Sequence, residues 1–177
     1  HLNKQKAVDA CSGDWILQLD ADETVSPKLR DELISTVNKS ADFVGYYIPR
    51  KNFFLGHWMR KGGQYPDYVI RFFIKGRGKF PSKSVHEQIE IDGPVGYLVN
   101  PILHYPYNNL YEYWIKANRY SLLAARELAV KKTPVNAFSL ISFFLLKPWS
   151  TFFSLYVRHL GIVDGWAGLL FAIFSSL

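Results

Sequence analysis

The sequence predicts an α/β fold followed by C-terminal helices, and three observations lead to this prediction. Residues 15–19 form an apolar run rich in strand-forming residues that ends abruptly in carboxylates. Residues 43–54 and 67–75 are aromatic and β-branched, which is typical of strands. From Asn108 onward, apolar residues recur every three or four positions, which indicates helices. A sheet should therefore precede a helical region.

Helical signals occur before, between and after these strands. Residues 1–10 have the pattern of an amphipathic helix. Ser26 is suited to cap the next helix, and Pro27 is suited to its first turn. Residues 110–130 predict a long amphipathic helix, which the sequence from Lys131 to Pro134 should end.

The charge balance narrows the classes of partner. The 177 residues include 21 Lys+Arg and 15 Asp+Glu, a formal net charge of +6, which suits nucleic acid, anionic lipid or phosphorylated substrates. The cations are spread among aromatic residues, and the sequence has no zinc-finger or RNA-binding signature. We therefore expect no nucleic-acid partner. The single cysteine, Cys11, excludes an internal disulfide and fits a reducing compartment.

The acidic cluster that follows the first strand is the main candidate site. Asp20 and Asp22 stand two residues apart, so they share a face in an extended chain and can converge on one cation from a turn. Carboxylate oxygens suit both Mg²⁺ and Mn²⁺. From spacing alone, the alternative stays open that Asp20, Asp22 and Glu23 are only a polar turn after a strand.

The surrounding residues carry a resemblance to a known family. The sequence GDWILQLDADE at residues 13–23 resembles the segment around the DxD motif of inverting family 2 glycosyltransferases with the GT-A fold. The likeness is strongest to bacterial enzymes that build lipopolysaccharide core and similar surface glycans. In that family the DxD carboxylates hold a divalent cation that bridges the diphosphate of a nucleotide-sugar. The resemblance implies this role for Asp22 and for Asp20, the latter directly or through ribose or water.

The resemblance also implies a phosphate or metal contact for two further residues. In the family, a Gly-Gly, Tyr-Pro-Asp and Arg pattern lies under the acceptor side of the site, and residues 62–71 match it. Arg71 would then position phosphate, since its fork suits oxyanions; the alternative is a surface charge or a partner for Asp67. His104 occupies a place from which many GT-A enzymes supply a metal or diphosphate contact; the alternative is a structural histidine.

The catalytic base is expected in the His86-Glu87 pair. An inverting transfer needs a carboxylate that takes the proton from the acceptor hydroxyl as it attacks the anomeric carbon. The family places its base in an acidic pair in this part of the chain, which implies Glu87, with His86 orienting it or contacting phosphate. The alternative is an exposed His-Glu pair at a strand start.

The resemblance also predicts the domain organisation. In the family, a β-α-β unit that binds the nucleotide precedes the first helix seen here. We therefore expect residues 1–106 to form a partial, Rossmann-like GT-A domain that lacks this unit, and the chain alone to be compromised in activity. Residues 107–177 are expected to form a helical, membrane-associated region.

The C-terminal region alternates apolar blocks with charged breaks. Residues 137–146 and 151–157 are almost uncharged, and Lys147-Pro148-Trp149 is expected to separate them. Neither block reaches the roughly 20 residues of a membrane span, so we expect short interfacial helices with cations at the headgroups. Residues 165–177 could be a truncated span. The alternative is packing on the catalytic domain or on another subunit, and the oligomeric state is open.

Together these observations predict a metal-dependent enzyme that transfers a sugar with inversion. The donor would be a nucleotide-sugar and the acceptor a hydroxyl of a glycan or lipid-linked molecule at the cytoplasmic face of the membrane. One alternative is a non-catalytic glycosyltransferase-like scaffold at the membrane. The other is a basic module that binds a membrane surface or nucleic acid, which the acidic cluster opposes.

Overall fold

A computed structural model describes residues 2–39, 42–80, 89–131 and 134–177. It confirms the predicted α/β chain followed by C-terminal helices and is consistent with a partial Rossmann-like sheet. The helices are α1 (Leu2–Ala10), α2 (Pro27–Val37), α3 (Leu110–Val130), α4 (Ala137–Arg158) and α5 (Gly165–Ser176). The strands are β1 (Trp15–Leu17), β2 (Glu23–Val25), β3 (Gly45–Phe54), β4 (His57–Trp58), β5 (Asp67–Ile74), β6 (Gly78–Lys79), β7 (Glu90–Ile91), β8 (Val95–Tyr97) and β9 (Ile102–His104).

The chain divides into two compact units. Unit 1 contains residues 1–51 and 66–104, and unit 2 contains residues 52–65 and 105–177. The long strand β3 begins in the first and ends in the second. The domain boundary predicted near residue 106 stays a prediction.

Unit 1 is built on a mixed sheet in which the strand order is β1-β5-β3-β9-β2, with β8 parallel to β3. Leu29 and Leu33 of α2 pack on one core with Ile48, Phe72 and Ile102. A second core contains Val8, Ile16, Phe73, Phe80 and Ile89. Ser26 caps α2 by accepting a hydrogen bond from the Leu29 N–H, as its sequence predicts.

This strand order positions the acidic turn. Strands β1 and β2 lie at opposite ends of the order, and residues 18–22 connect them. Strand β1 pairs with β5, whereas β2 pairs with β9 so that Glu23 is opposite His104. Residues 18–22 therefore lead from the strand paired with β5 to the strand paired with β9.

Unit 2 packs a hairpin against helices. Phe54 and Met59 from the hairpin are buried with Tyr113 of α3 and Ala167 of α5. The tight turn between β3 and β4 has positive φ at Leu55 and Gly56.

The predicted break at Lys147-Pro148-Trp149 is wrong, because α4 passes through these residues as one helix of 22 residues. Residues 142–146, which end two positions before Pro148, are π-helical. Pro148 lacks an N–H and its ring crowds the preceding turn, and the wider π turn accommodates both effects. Within the described residues, α4 is the one helix long and apolar enough to cross a membrane, judged by length and composition.

A buried carboxylate fastens residues 60–62, which follow β4 in unit 2, to the turn between α4 and α5. Asp164 is 4% exposed and accepts hydrogen bonds from the backbone N–H groups of Arg60, at 3.0 Å, and Lys61, at 2.8 Å. The Gly62 N–H donates to the His159 carbonyl at 2.9 Å. The backbones meet closely beside this contact, since a Cβ on Gly168 would stand 1.9 Å from the carbonyl oxygen of Gly161.

Replacing Asp164 by Ala should lower the free energy of unfolding by about 2 to 4 kcal/mol, because two buried N–H groups lose their acceptor. Thermal unfolding in detergent would measure the loss. Asp31→Ala is the matched control, since the Asp31 carboxylate is exposed on α2 and pairs only with neighbouring Arg30 in the contacts described. An unchanged unfolding temperature for Asp164→Ala would show that the N–H groups do not depend on this carboxylate.

Candidate functional site

The acidic turn between β1 and β2 is closed by its own residues. The Glu23 N–H donates to the Asp20 carbonyl at 3.0 Å, and the Asp20 N–H donates back to Glu23 Oε2 at 3.0 Å. The Glu23 side chain is 0% exposed. The third carboxylate of the predicted cluster therefore points inward and fixes the turn.

Arg71 of β5 connects this turn to the sheet. Its Nη1 donates to Gln18 Oε1, and its Nη2 donates to Asp20 Oδ2 and, at 2.9 Å, to Glu23 Oε1. The Gln18 N–H in turn donates to the Arg71 carbonyl at 2.8 Å. Arg71 is buried, so the surface-charge alternative is wrong. Its guanidinium compensates the carboxylates that the turn brings together.

Asp67, the other partner considered for Arg71, forms an ion pair with Arg50. Nε of Arg50 donates to Asp67 Oδ2 at 2.9 Å, as expected from their opposite positions in the β3–β5 register. Arg50 Nη1 also lies 3.6 Å from Glu23 Oε1. Two arginines thus face the buried Glu23 carboxylate.

Asp20 has both carboxylate oxygens engaged. Lys4 Nζ lies 2.6 Å from Oδ1, Gln18 Nε2 donates to the same oxygen at 3.2 Å, and Arg71 binds Oδ2. Burial by itself would raise the pKa of the Asp20 carboxyl, but the hydrogen bond from Lys4 and the charge of Arg71 outweigh burial, and the pKa is lowered. Asp20 is therefore a fixed anion at neutral pH.

Asp22 lies next to His104 and is about as exposed as Asp20, whose side chain is 32% exposed. Asp22 Oδ2 is 3.6 Å from His104 Nε2, and the Asp22 side chain is 33% exposed. A carboxylate oxygen and an imidazole nitrogen are both ligands of divalent cations. Of the predicted donor-side residues, the structure brings Asp20 to Arg71 and Asp22 to His104, all within unit 1.

The ligand set fits a cation that shares its coordination with a substrate. Among the residues that the structure describes, no three His, Cys, Asp or Glu side chains are grouped to hold a metal. Magnesium in nucleotide sites is commonly held by one or two carboxylates together with substrate phosphates. Asp22 supplies one such carboxylate and His104 adds an imidazole nitrogen beside it, and the roles predicted for them stay predictions.

Some of the predicted residues are not placed at this site. His86 and Glu87 lie outside the described residues. The predicted acceptor-side pattern is divided between the units, with Gly62, Gly63 and Tyr65 in unit 2 and Asp67 and Arg71 in unit 1.

Sequence reasoning missed the roles of Lys4, Gln18, Glu23 and Arg50. Gln18 carried a signal, since it stands two residues before Asp20 and shares its face in an extended chain. Arg50 carried none, because its position opposite Asp67 depends on the strand register. Lys4 reaches Asp20 across 16 residues, from a helix whose position the sequence does not specify.

Comparison with known proteins finds similarity to a glycosyltransferase. The chain is 27% identical over 187 residues to the lipopolysaccharide core biosynthesis glycosyltransferase LpsC of Rhizobium meliloti (strain 1021). The alignment covers 98% of this chain and 66% of LpsC, so the chain spans just under two thirds of that relative's length. No protein-family model and no solved structure matches the chain.

Replacing Arg71 by Met should lower the free energy of unfolding by about 3 kcal/mol or more, since removing one partner of a buried ion pair leaves the other uncompensated. Urea unfolding followed by tryptophan fluorescence would measure it. Arg77→Met is the matched control, because its 3.3 Å pair with Asp92 is exposed and such pairs contribute about 0 to 1 kcal/mol. Equal losses in the two variants would contradict the bridging role of Arg71.

Proposed function

We propose that this chain contributes to the donor site of a glycosyltransferase that moves a sugar, with inversion, from a nucleotide-diphosphate donor to a hydroxyl of a glycan or lipid-linked acceptor. The observation that carries the proposal is that the carboxylates of the acidic turn have different partners. Arg71 binds Asp20 and Glu23, whereas Asp22 stands beside His104. Similarity to LpsC supports glycosyl transfer in general.

In this proposal Asp22 and His104 hold the divalent cation, Mg²⁺ or Mn²⁺, together with donor phosphate. The cation would supply charge stabilisation for the diphosphate as it departs. Asp20 contributes through ribose or water, because Lys4, Gln18 and Arg71 engage its oxygens. Arg71 keeps the turn in place and adds positive charge on the phosphate side.

Glu87 is proposed as the base of the reaction. It would accept the proton from the acceptor hydroxyl as that oxygen forms its bond to the anomeric carbon, and His86 would orient it. This assignment rests on the family resemblance of the sequence around residues 85–88.

The acceptor is proposed to be reached at the cytoplasmic surface of a membrane. The apolar window of α4 is 0% buried, and its exposed side chains include Phe138, Phe144 and Trp149. Lys147 stands at the midpoint of α4, where a charge in a membrane-crossing helix would cost about 3 kcal/mol or more. An orientation along the interface lets Lys147 reach the headgroups.

Calorimetric titration of UDP into the intact protein in detergent, with and without Mn²⁺, tests the donor site. Wild type should bind with an affinity that depends on the ion, and Asp22→Asn should weaken that binding more than tenfold, because a charged ligand of the cation is lost. Asp31→Asn, which removes an exposed carboxylate from α2, should bind as wild type does.

If UDP does not bind, the titration would be repeated with other nucleoside diphosphates. Failure of all of them to bind would favour the non-catalytic scaffold. Ion-dependent binding that survives in Asp22→Asn would remove Asp22 from the metal site.

Glu87→Gln should keep donor binding and lower turnover by a factor of about 10² to 10⁴, the usual contribution of a general base. Release of nucleoside diphosphate would measure turnover. Glu90→Gln is the control, since Glu90 is an exposed carboxylate on the nearby strand β7. Normal turnover in Glu87→Gln would show that the base lies elsewhere.

A further inference from the structure

A second surface with defined chemistry lies in unit 2, where residues 60–62, after β4, meet the turn between α4 and α5. Backbone groups make the fastening contacts, since Arg60 and Lys61 donate their N–H groups to Asp164 and Gly62 donates to the His159 carbonyl. The side chains of Arg60 and Lys61 remain exposed. Segments about a hundred residues apart thus place these cations beside the end of α4, where Arg158 is also exposed.

The turn itself presents apolar side chains to the outside. Leu160, Ile162 and Val163 are each at least half exposed. Leu160 has φ of 57°, a left-handed conformation that a residue other than glycine rarely adopts. Gly161, between these residues, is held so closely that an added Cβ would stand 2.6 Å from the Leu155 carbonyl oxygen. Packing of the backbone therefore fixes an apolar tip that is not itself buried.

The two segments that form this surface carry exposed charge of one sign. In residues 52–65 and 134–177 the only Asp or Glu is Asp164, which is 4% exposed and bound by backbone N–H groups. The Lys and Arg residues of the same segments are Arg60, Lys61, Lys147 and Arg158, and all are exposed. These two segments combine exposed cations with apolar side chains and contain no exposed carboxylate, while the other carboxylates of the unit, Glu112 and Glu127, lie on α3.

We propose that Arg60, Lys61 and Arg158, with the apolar tip Leu160, Ile162 and Val163, form a docking surface for a bilayer that contains anionic phospholipid. The cations pair with lipid phosphates while the tip enters the acyl boundary. Nucleic acid would match the cations but leave the tip in water, so charge and apolarity together favour the bilayer. This inference rests on the membrane association within the proposed function and names its lipid chemistry.

Vesicle flotation tests the docking surface, with the intact protein mixed with vesicles of phosphatidylcholine alone or of phosphatidylcholine with phosphatidylglycerol. The triple variant Arg60→Gln/Lys61→Gln/Arg158→Gln should lose about fivefold per cation, on the order of 100-fold in total, in affinity for the anionic vesicles. Its affinity for phosphatidylcholine should change little. The matched control Lys28→Gln/Arg30→Gln/Lys39→Gln removes three exposed cations from unit 1 and should bind as wild type does.

A second variant, Ile162→Ser/Val163→Ser, should weaken binding to both kinds of vesicle, because it removes the apolar contribution. Circular dichroism and UDP titration would confirm that each variant is folded. Equal binding of wild type to both vesicle types, or an equal loss in the control triple, would overturn the proposal. Failure of wild type to bind any nucleoside diphosphate would instead count against the proposed transferase function, and the vesicle result would remain interpretable.

Discussion

The buried guanidinium of Arg71 is the constraint on which the candidate site depends. The turn after β1 places Asp20, Asp22 and Glu23 within four residues, and Glu23 is turned fully inward. Carboxylates this close repel one another, and a buried one needs both a compensating charge and hydrogen bonds. The planar fork of Arg71 supplies both, since it reaches Gln18, Asp20 and Glu23 from one strand.

This arrangement gives each carboxylate a different environment. Glu23 is enclosed by Arg71, Arg50 and the Asp20 N–H, so it serves the structure of the turn. Asp20 is held ionised by Lys4 and Arg71. Asp22 lies beside His104, and this pair is the proposed site for a cation that also binds phosphate. An acidic run that looks uniform in sequence thus contains carboxylates with different partners once the strands are paired.

The sequence predicted the elements whose signals are local. The run before Asp20, the Ser26 cap and the period of residues 110–130 each depend on near neighbours, and each has its counterpart in the structure. Features that depend on distant partners were not predictable. The Arg50–Asp67 pair needs the register of β3 and β5, and the passage of α4 through Pro148 needs a π turn that composition does not specify.

The way in which Asp164 is bound leaves the cations of the docking surface uncompensated by it. A buried aspartate is usually compensated by a basic side chain, which would neutralise one cation of the surface. Asp164 is instead bound by the backbone N–H groups of Arg60 and Lys61, so its charge is stabilised by peptide dipoles and the basic side chains stay outside. The single acidic residue of these segments therefore organises the loop without cancelling its charge. A surface that has to meet anionic headgroups requires this separation of the fastening contact from the exposed charge.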